Sequence, residues 1–105
     1  MSNKRADDTL YTLLANGAAT GNAINIRGGE YCFTVEGTIG GATIGLQMQT
    51  PNGTWSTVQV WNASPVQTTA VPYFQTQIDL PAGAARVVVT GGTPSAIYSY
   101  LLGLG

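Results

Sequence analysis

Apolar and polar residues alternate with period two along most of this chain, and no stretch repeats its apolar positions at helical spacing. Leu10 to Ala15 reads as a short apolar strand closed by Asn16-Gly17, and Ala23 to Arg27 as a weaker one with Ile24 and Ile26 on one side. Glu30 to Glu36 alternates most clearly, with Tyr31, Phe33 and Val35 opposed to Glu30, Cys32, Thr34 and Glu36. Thr43 to Gln49 directs Ile44, Leu46 and Met48 inward. Pro51-Asn52-Gly53 follows as a tight-turn signal, because Asn-Gly accepts positive φ, and Thr54 to Trp61 is the second arm of that hairpin. Ser64 to Tyr73, broken by Pro65 and Pro72, reads as a loop. In Phe74 to Leu80, Phe74, Ile78 and Leu80 share one face and Gln75, Gln77 and Asp79 the other. Pro81-Ala82-Gly83 then turns into Ala85 to Thr90, and a Gly/Pro turn leads to a last strand, Ala96 to Leu104.

About eight short strands spaced near ten residues apart predict an all-β, single-domain antiparallel sandwich, with a jelly-roll-like winding preferred over a small barrel. Residues 1–8 read as a flexible N-terminal arm and 9–105 as the β-sandwich domain. The uncharged stretch from Val87 to Gly105 is no membrane span, because Thr90 to Ser95 cuts it into two strand-length halves.

Composition narrows the function. The chain has 105 residues, four Lys and Arg, five Asp and Glu, no His, and a net charge of −1. Lys4, Arg5, Asp7 and Asp8 crowd the first eight positions, and beyond them only Arg27, Glu30, Glu36, Asp79 and Arg86 are charged. So few cations form no phosphate-binding patch, which argues against nucleic acid. A surface this poor in charge suits a protein docked in an assembly or a binding module. The polar N-terminus leads into no long apolar segment, so the chain is expected to be made in a cytoplasm. The Asn52 and Asn62 sequons then carry no glycan.

Candidate chemistry is sparse. Without histidine the chain lacks the commonest general base and zinc ligand. Cys32 has no imidazole partner and reads as a small strand residue. Glu30 and Glu36 lie six positions apart on one strand, roughly 20 Å, beyond the roughly 10 Å reach of a glycosidase pair. Asp79 could meet either in space, and solvated strand-face carboxylates are the expected state of all three. The Gly28-Gly29, Gly40-Gly41 and Gly91-Gly92 pairs fit no phosphate loop and read as turns. The acids are too scattered for a calcium loop. No enzyme activity, cofactor or metal is therefore expected. One aromatic feature stands out: Trp55 and Trp61 share a face with Thr57 and Gln59, as a sugar-stacking platform, a protein-interface anchor or a pair covered by the Ser64–Tyr73 loop.

Two segments, "GGEYCFTVEGTIGGATIGLQMQTPNGTWSTV" (28–58) and "LPAGAARVVVTGGTPSAIYSYLLGL" (80–104), resemble small all-β structural proteins encoded beside the capsid genes of tailed bacteriophages. The shared elements are strand and turn grammar, and they bring no catalytic residues with them. The resemblance implies a virion role as a capsid decoration (cement) or head-fibre protein, bound in many copies to the major capsid protein. The competing class is a carbohydrate-binding module that uses Trp55 and Trp61 on a surface glycan.

The terminal strand bears on partners. Ala96, Tyr98, Tyr100 and Leu102 occupy one parity and Ile97 and Leu101 the other, so both faces are apolar. A sandwich strand needs one buried face. The second face is expected to meet another copy of the chain or the capsid, with Ile97 or Leu101 at that contact.

Overall fold

The computed structural model describes residues 10–60 and 62–103. The segment expected as an N-terminal arm, residues 1–8, lies outside the described residues, as does Trp61. The fold is all-β, and no helix occurs among the described residues. Nine strands follow in order: β1 (Leu10–Gly17), β2 (Ile24–Ile26), β3 (Gly29–Thr38), β4 (Thr43–Gln49), β5 (Trp55–Thr57), β6 (Gln67–Thr68), β7 (Tyr73–Leu80), β8 (Gly83–Thr90) and β9 (Ser95–Gly103). They form two antiparallel sheets, one ordered β1-β9-β3-β7 and the other β2-β8-β4-β5, with β6 also pairing β4. The pairing is nested: β2 joins β8, β3 joins β7, and β4 joins β5. The extra strand β6 lies in the stretch read from sequence as a loop.

The alternation in the sequence becomes a core between the sheets. Tyr31, Phe33, Val35, Ile78, Leu80, Ile97 and Leu101 project from the first sheet, and Ile26, Ile44, Leu46, Ala85 and Val87 from the second. Two core hydroxyls, those of Ser99 and Tyr31, pair with backbone carbonyls. The Ser99 hydroxyl, wholly buried, donates to the Thr34 carbonyl at 2.9 Å. The Tyr31 hydroxyl donates to the Arg27 carbonyl, while the Arg27 N–H donates to the Tyr11 hydroxyl at 3.1 Å. The two tyrosine rings meet edge to face at 6.0 Å and pin the bend before β3. Between β4 and β5 the expected turn forms: the Gly53 N–H donates to the Thr50 carbonyl at 2.8 Å, and Gly53 takes φ +89°.

Two facings predicted from alternation are corrected. Phe74 does not share the inward face of Ile78 and Leu80; it is 70% exposed. The cause is a bulge in β7. Tyr31 stands opposite Ile78, but Phe33 stands opposite Gln75, so Thr76 and Gln77 face one β3 position. Gln77 takes up the extra residue at φ +60°, and each such insertion reverses the facing of what precedes it. Tyr73 turns inward in place of Phe74 and meets Phe33 edge to face at 6.0 Å. The second correction is in β9. Ile97 and Leu101, expected at a contact between subunits, are wholly buried in the chain's own core. Their parity faces the opposite sheet, so the outward residues are Tyr98, Tyr100 and Leu102.

Candidate interaction surface

Among the described residues no layer covers the outer face of the β1-β9-β3-β7 sheet, which is nonetheless apolar. Pairing registers place its residues in rows. Leu10, Leu102 and Cys32 form one row across β1, β9 and β3. Thr12, Tyr100, Thr34 and Phe74 form the next, continuing onto β7. Tyr98 and Glu36 begin a third. Each row spans neighbouring strands roughly 4.8 Å apart, and successive rows lie about 6.6 Å along them.

The relief of this face follows from side-chain size. β3 contributes small residues, and Cys32 and Thr34 are 3% and 8% exposed. On one side β9 raises the larger Tyr98, Tyr100 and Leu102, and on the other β7 raises Phe74. Thr34 thus lies low in a groove of about 360 Å³, walled by Leu10, Tyr100, Leu102, Pro72 and Phe74 and closed at its charged end by Glu36. Leu10, at 55% exposure, and Phe74 are the two large hydrophobic side chains left most open to solvent among the described residues.

Among the described residues, charge on this face is confined to its two ends. Glu36 is exposed at one end. At the other, Glu30 and Asp79 stand directly opposite each other on β3 and β7. Alternation along single strands could compare only Glu30 with Glu36, which lie at opposite ends. The Glu30–Asp79 pairing depends on which strands are neighbours, and no local signal carries that. Among the described residues no group of three or more His, Cys, Asp or Glu is placed to hold a metal ion. Burial pushes the Cys32 thiol above its ordinary pKa, partly offset by a backbone hydrogen bond from Gln75. A neutral, covered thiol is a poor nucleophile.

Trp55 lies on the second sheet. It pairs with Gln49 at the β5 edge and is half-buried. The Arg86 guanidinium stacks over its ring at 4.2 Å from the centroid, and Arg86 Nε donates to Gln47 Oε1 at 2.9 Å. One face of the indole is therefore taken by a cation and is not open to a sugar ring. The Val58 N–H still donates to the Leu46 carbonyl of β4 at 2.9 Å, and the chain then folds back on itself, with the Val60 N–H donating to the Ser64 carbonyl at 2.9 Å. Val58 and Val60 pack against the core, as their parity predicts.

Of the four interface candidates taken from sequence, two are core residues, one is half-covered by Arg86, and Trp61 is outside the described residues. The residues that make the open apolar face are others: Tyr98, Tyr100, Leu102, Phe74 and Leu10. One sequence signal did separate the two parities of the last strand. Tyrosine keeps a hydroxyl for water, whereas Ile97 and Leu101 have nothing polar to offer it. No family model, curated protein or solved structure matches the chain.

Proposed function

We propose that this chain is a non-enzymatic structural protein that works by being packed into a protein assembly, a tailed-phage virion, where it binds the capsid in many copies. The observation that carries the reading is the outer face of the first sheet. Among the described residues it is apolar at its centre, charged only at its ends, and covered by no other element. Protein interfaces have this composition, with aromatic residues in the middle and charge at the rim. The virion setting rests on the likeness of residues 28–58 and 80–104 to phage structural proteins. We also take the nested strand pairing as the jelly-roll-like winding preferred from the sequence.

The test is made on virions from the genome that encodes the chain. Mass spectrometry of purified particles should find the protein in many copies. A reconstruction should place its density on the capsid, with the first sheet's outer face against protein. Absence from the particles, or a coding locus without capsid genes, would sink the proposal.

A further inference from the structure

The groove and the ridge on the first sheet's outer face are neighbours. The ridge is β9, with Tyr98, Tyr100 and Leu102 half-buried. The groove runs over β3 at Thr34, Val35 and Glu36, and Thr34 and the neighbouring outward residue Cys32 are almost fully covered and so stand low. Adjacent strands in a sheet lie about 4.8 Å apart. Ridge and groove are also in register, since Leu102 pairs with Cys32, Tyr100 with Thr34, and Tyr98 with Glu36.

A two-fold axis lying in the plane of the face, parallel to the strands and midway between β9 and β3, exchanges these two strands. It sets the β9 ridge of one copy over the β3 groove of the other, and the reverse. Because the rows are shared, Tyr100 of one copy then faces Thr34 of the other, and Leu102 faces Cys32. The outer strands are exchanged as well, bringing Phe74 over Thr12. A self-complementary patch of this kind is what an isologous dimer requires. Stacked sheets keep their strands within about 30° of each other, so the match is closest near the axis.

We propose that two copies of this chain associate through the outer face of the first sheet, each seating its β9 ridge in the other's β3 groove. The inference rests on the reading of this face as a docking surface and names its occupant. Two observations favour a second copy. Among the described residues the groove meets charge only at Glu36, at its end, and the centre of the face offers none for a basic or acidic partner to recognise, whereas a second copy presents matching apolar relief. The area also suffices. Four strands about 4.8 Å apart, with roughly eight residues each at about 3.3 Å, frame on the order of 500 Å² per copy. The pair then covers about 1,000 Å², the lower bound for a specific interface. The same axis brings like ends together, so Glu36 lies near its counterpart and the Glu30–Asp79 pair near its own. Salt screens that repulsion.

Sedimentation of the purified chain over a range of concentrations around the micromolar tests the proposal. The expected result is a reversible monomer–dimer equilibrium that tightens as salt is added. Tyr100→Glu should weaken it about tenfold or more, because a carboxylate would enter the partner's apolar groove. Gln49→Glu, on the other sheet, should leave it unchanged. If Tyr100→Glu fails to fold by circular dichroism, Leu102→Gln serves at a half-exposed position, with loss of dimer again expected. A monomer at every concentration, a trimer or ring, or a dimer indifferent to these changes overturns the inference. The two proposals also fail separately. A protein that is monomeric alone but lost from virions on Tyr100→Glu keeps the docking reading without the dimer. A salt-strengthened dimer absent from virions keeps the dimer without the virion role.

Discussion

Leu101 and Leu102 are adjacent, chemically identical, and predicted to fail differently. Leu101 is wholly buried between the sheets, whereas Leu102 lies half-buried on the outer face, opposite Cys32. Truncating Leu101 to alanine removes three carbons from a packed core and leaves a cavity that β-sheet backbones cannot close. Such truncations cost about 2.7–5 kcal/mol. For a domain near this size each kcal/mol shifts the melting temperature by roughly 4–8 °C, so Leu101→Ala should melt at least about 10 °C below the parent. Leu102→Ala removes area that is already partly in water and should cost about 1 kcal/mol or less. The comparison belongs at high dilution, where the protein is monomeric and a partner adds no stability of its own. Thermal unfolding followed by far-ultraviolet circular dichroism reads both values. Equal losses for the two variants, or a loss below about 1 kcal/mol for Leu101→Ala, would refute the assignment of inner and outer faces in β9.

Three further outcomes are expected. Gln77→Gly should stabilise the fold by about 0.5–1 kcal/mol in urea titration, because Gln77 holds φ +60° in the β7 bulge and glycine adopts it without strain; a loss would mean that the side chain contributes more than the backbone strain costs. Arg86→Ala should cost about 0.5–1 kcal/mol through the lost stacking on Trp55 and shift the tryptophan emission, and an unchanged spectrum would count against the stacked pair. Cys32 should resist a thiol reagent in the native state at pH 8 and react on unfolding. Its raised pKa favours the neutral thiol in the fold, so the stabilising contribution is complete below the ordinary value of 9.0 and is lost as pH rises through the higher folded value. Stability that rises above pH 9 would contradict the burial of this group.

Much of the fold was legible because its information is local. In β3 and β4, alternation identified Tyr31, Phe33, Val35, Ile44 and Leu46 as inward, and each is buried. Asn52-Gly53 marked its turn because Gly53 takes a φ of +89°, which glycine adopts without strain. Phe74 was misplaced for an equally local reason. A period-two count has no way to register one extra residue, and the bulge at Thr76 and Gln77 inverts everything on its N-terminal side.

What the amino-acid sequence determined by itself was the class of the protein: an all-β fold, most of its strands, its tight turns, and a chain with very little charge. Strand periodicity and turn chemistry act over a few residues, so they can be read one segment at a time. Which strands are neighbours was decided only in the tertiary structure. Leu10, Cys32, Phe74 and Tyr100 are far apart along the chain and meet on one face because β1, β9, β3 and β7 pair in that order. The same order sets Glu30 against Asp79 and turns Ile97 and Leu101 toward the opposite sheet. A strand with two apolar faces fits a core in either sense, and what selects between them is the long-range packing of Ile97, Ser99 and Leu101 against the second sheet.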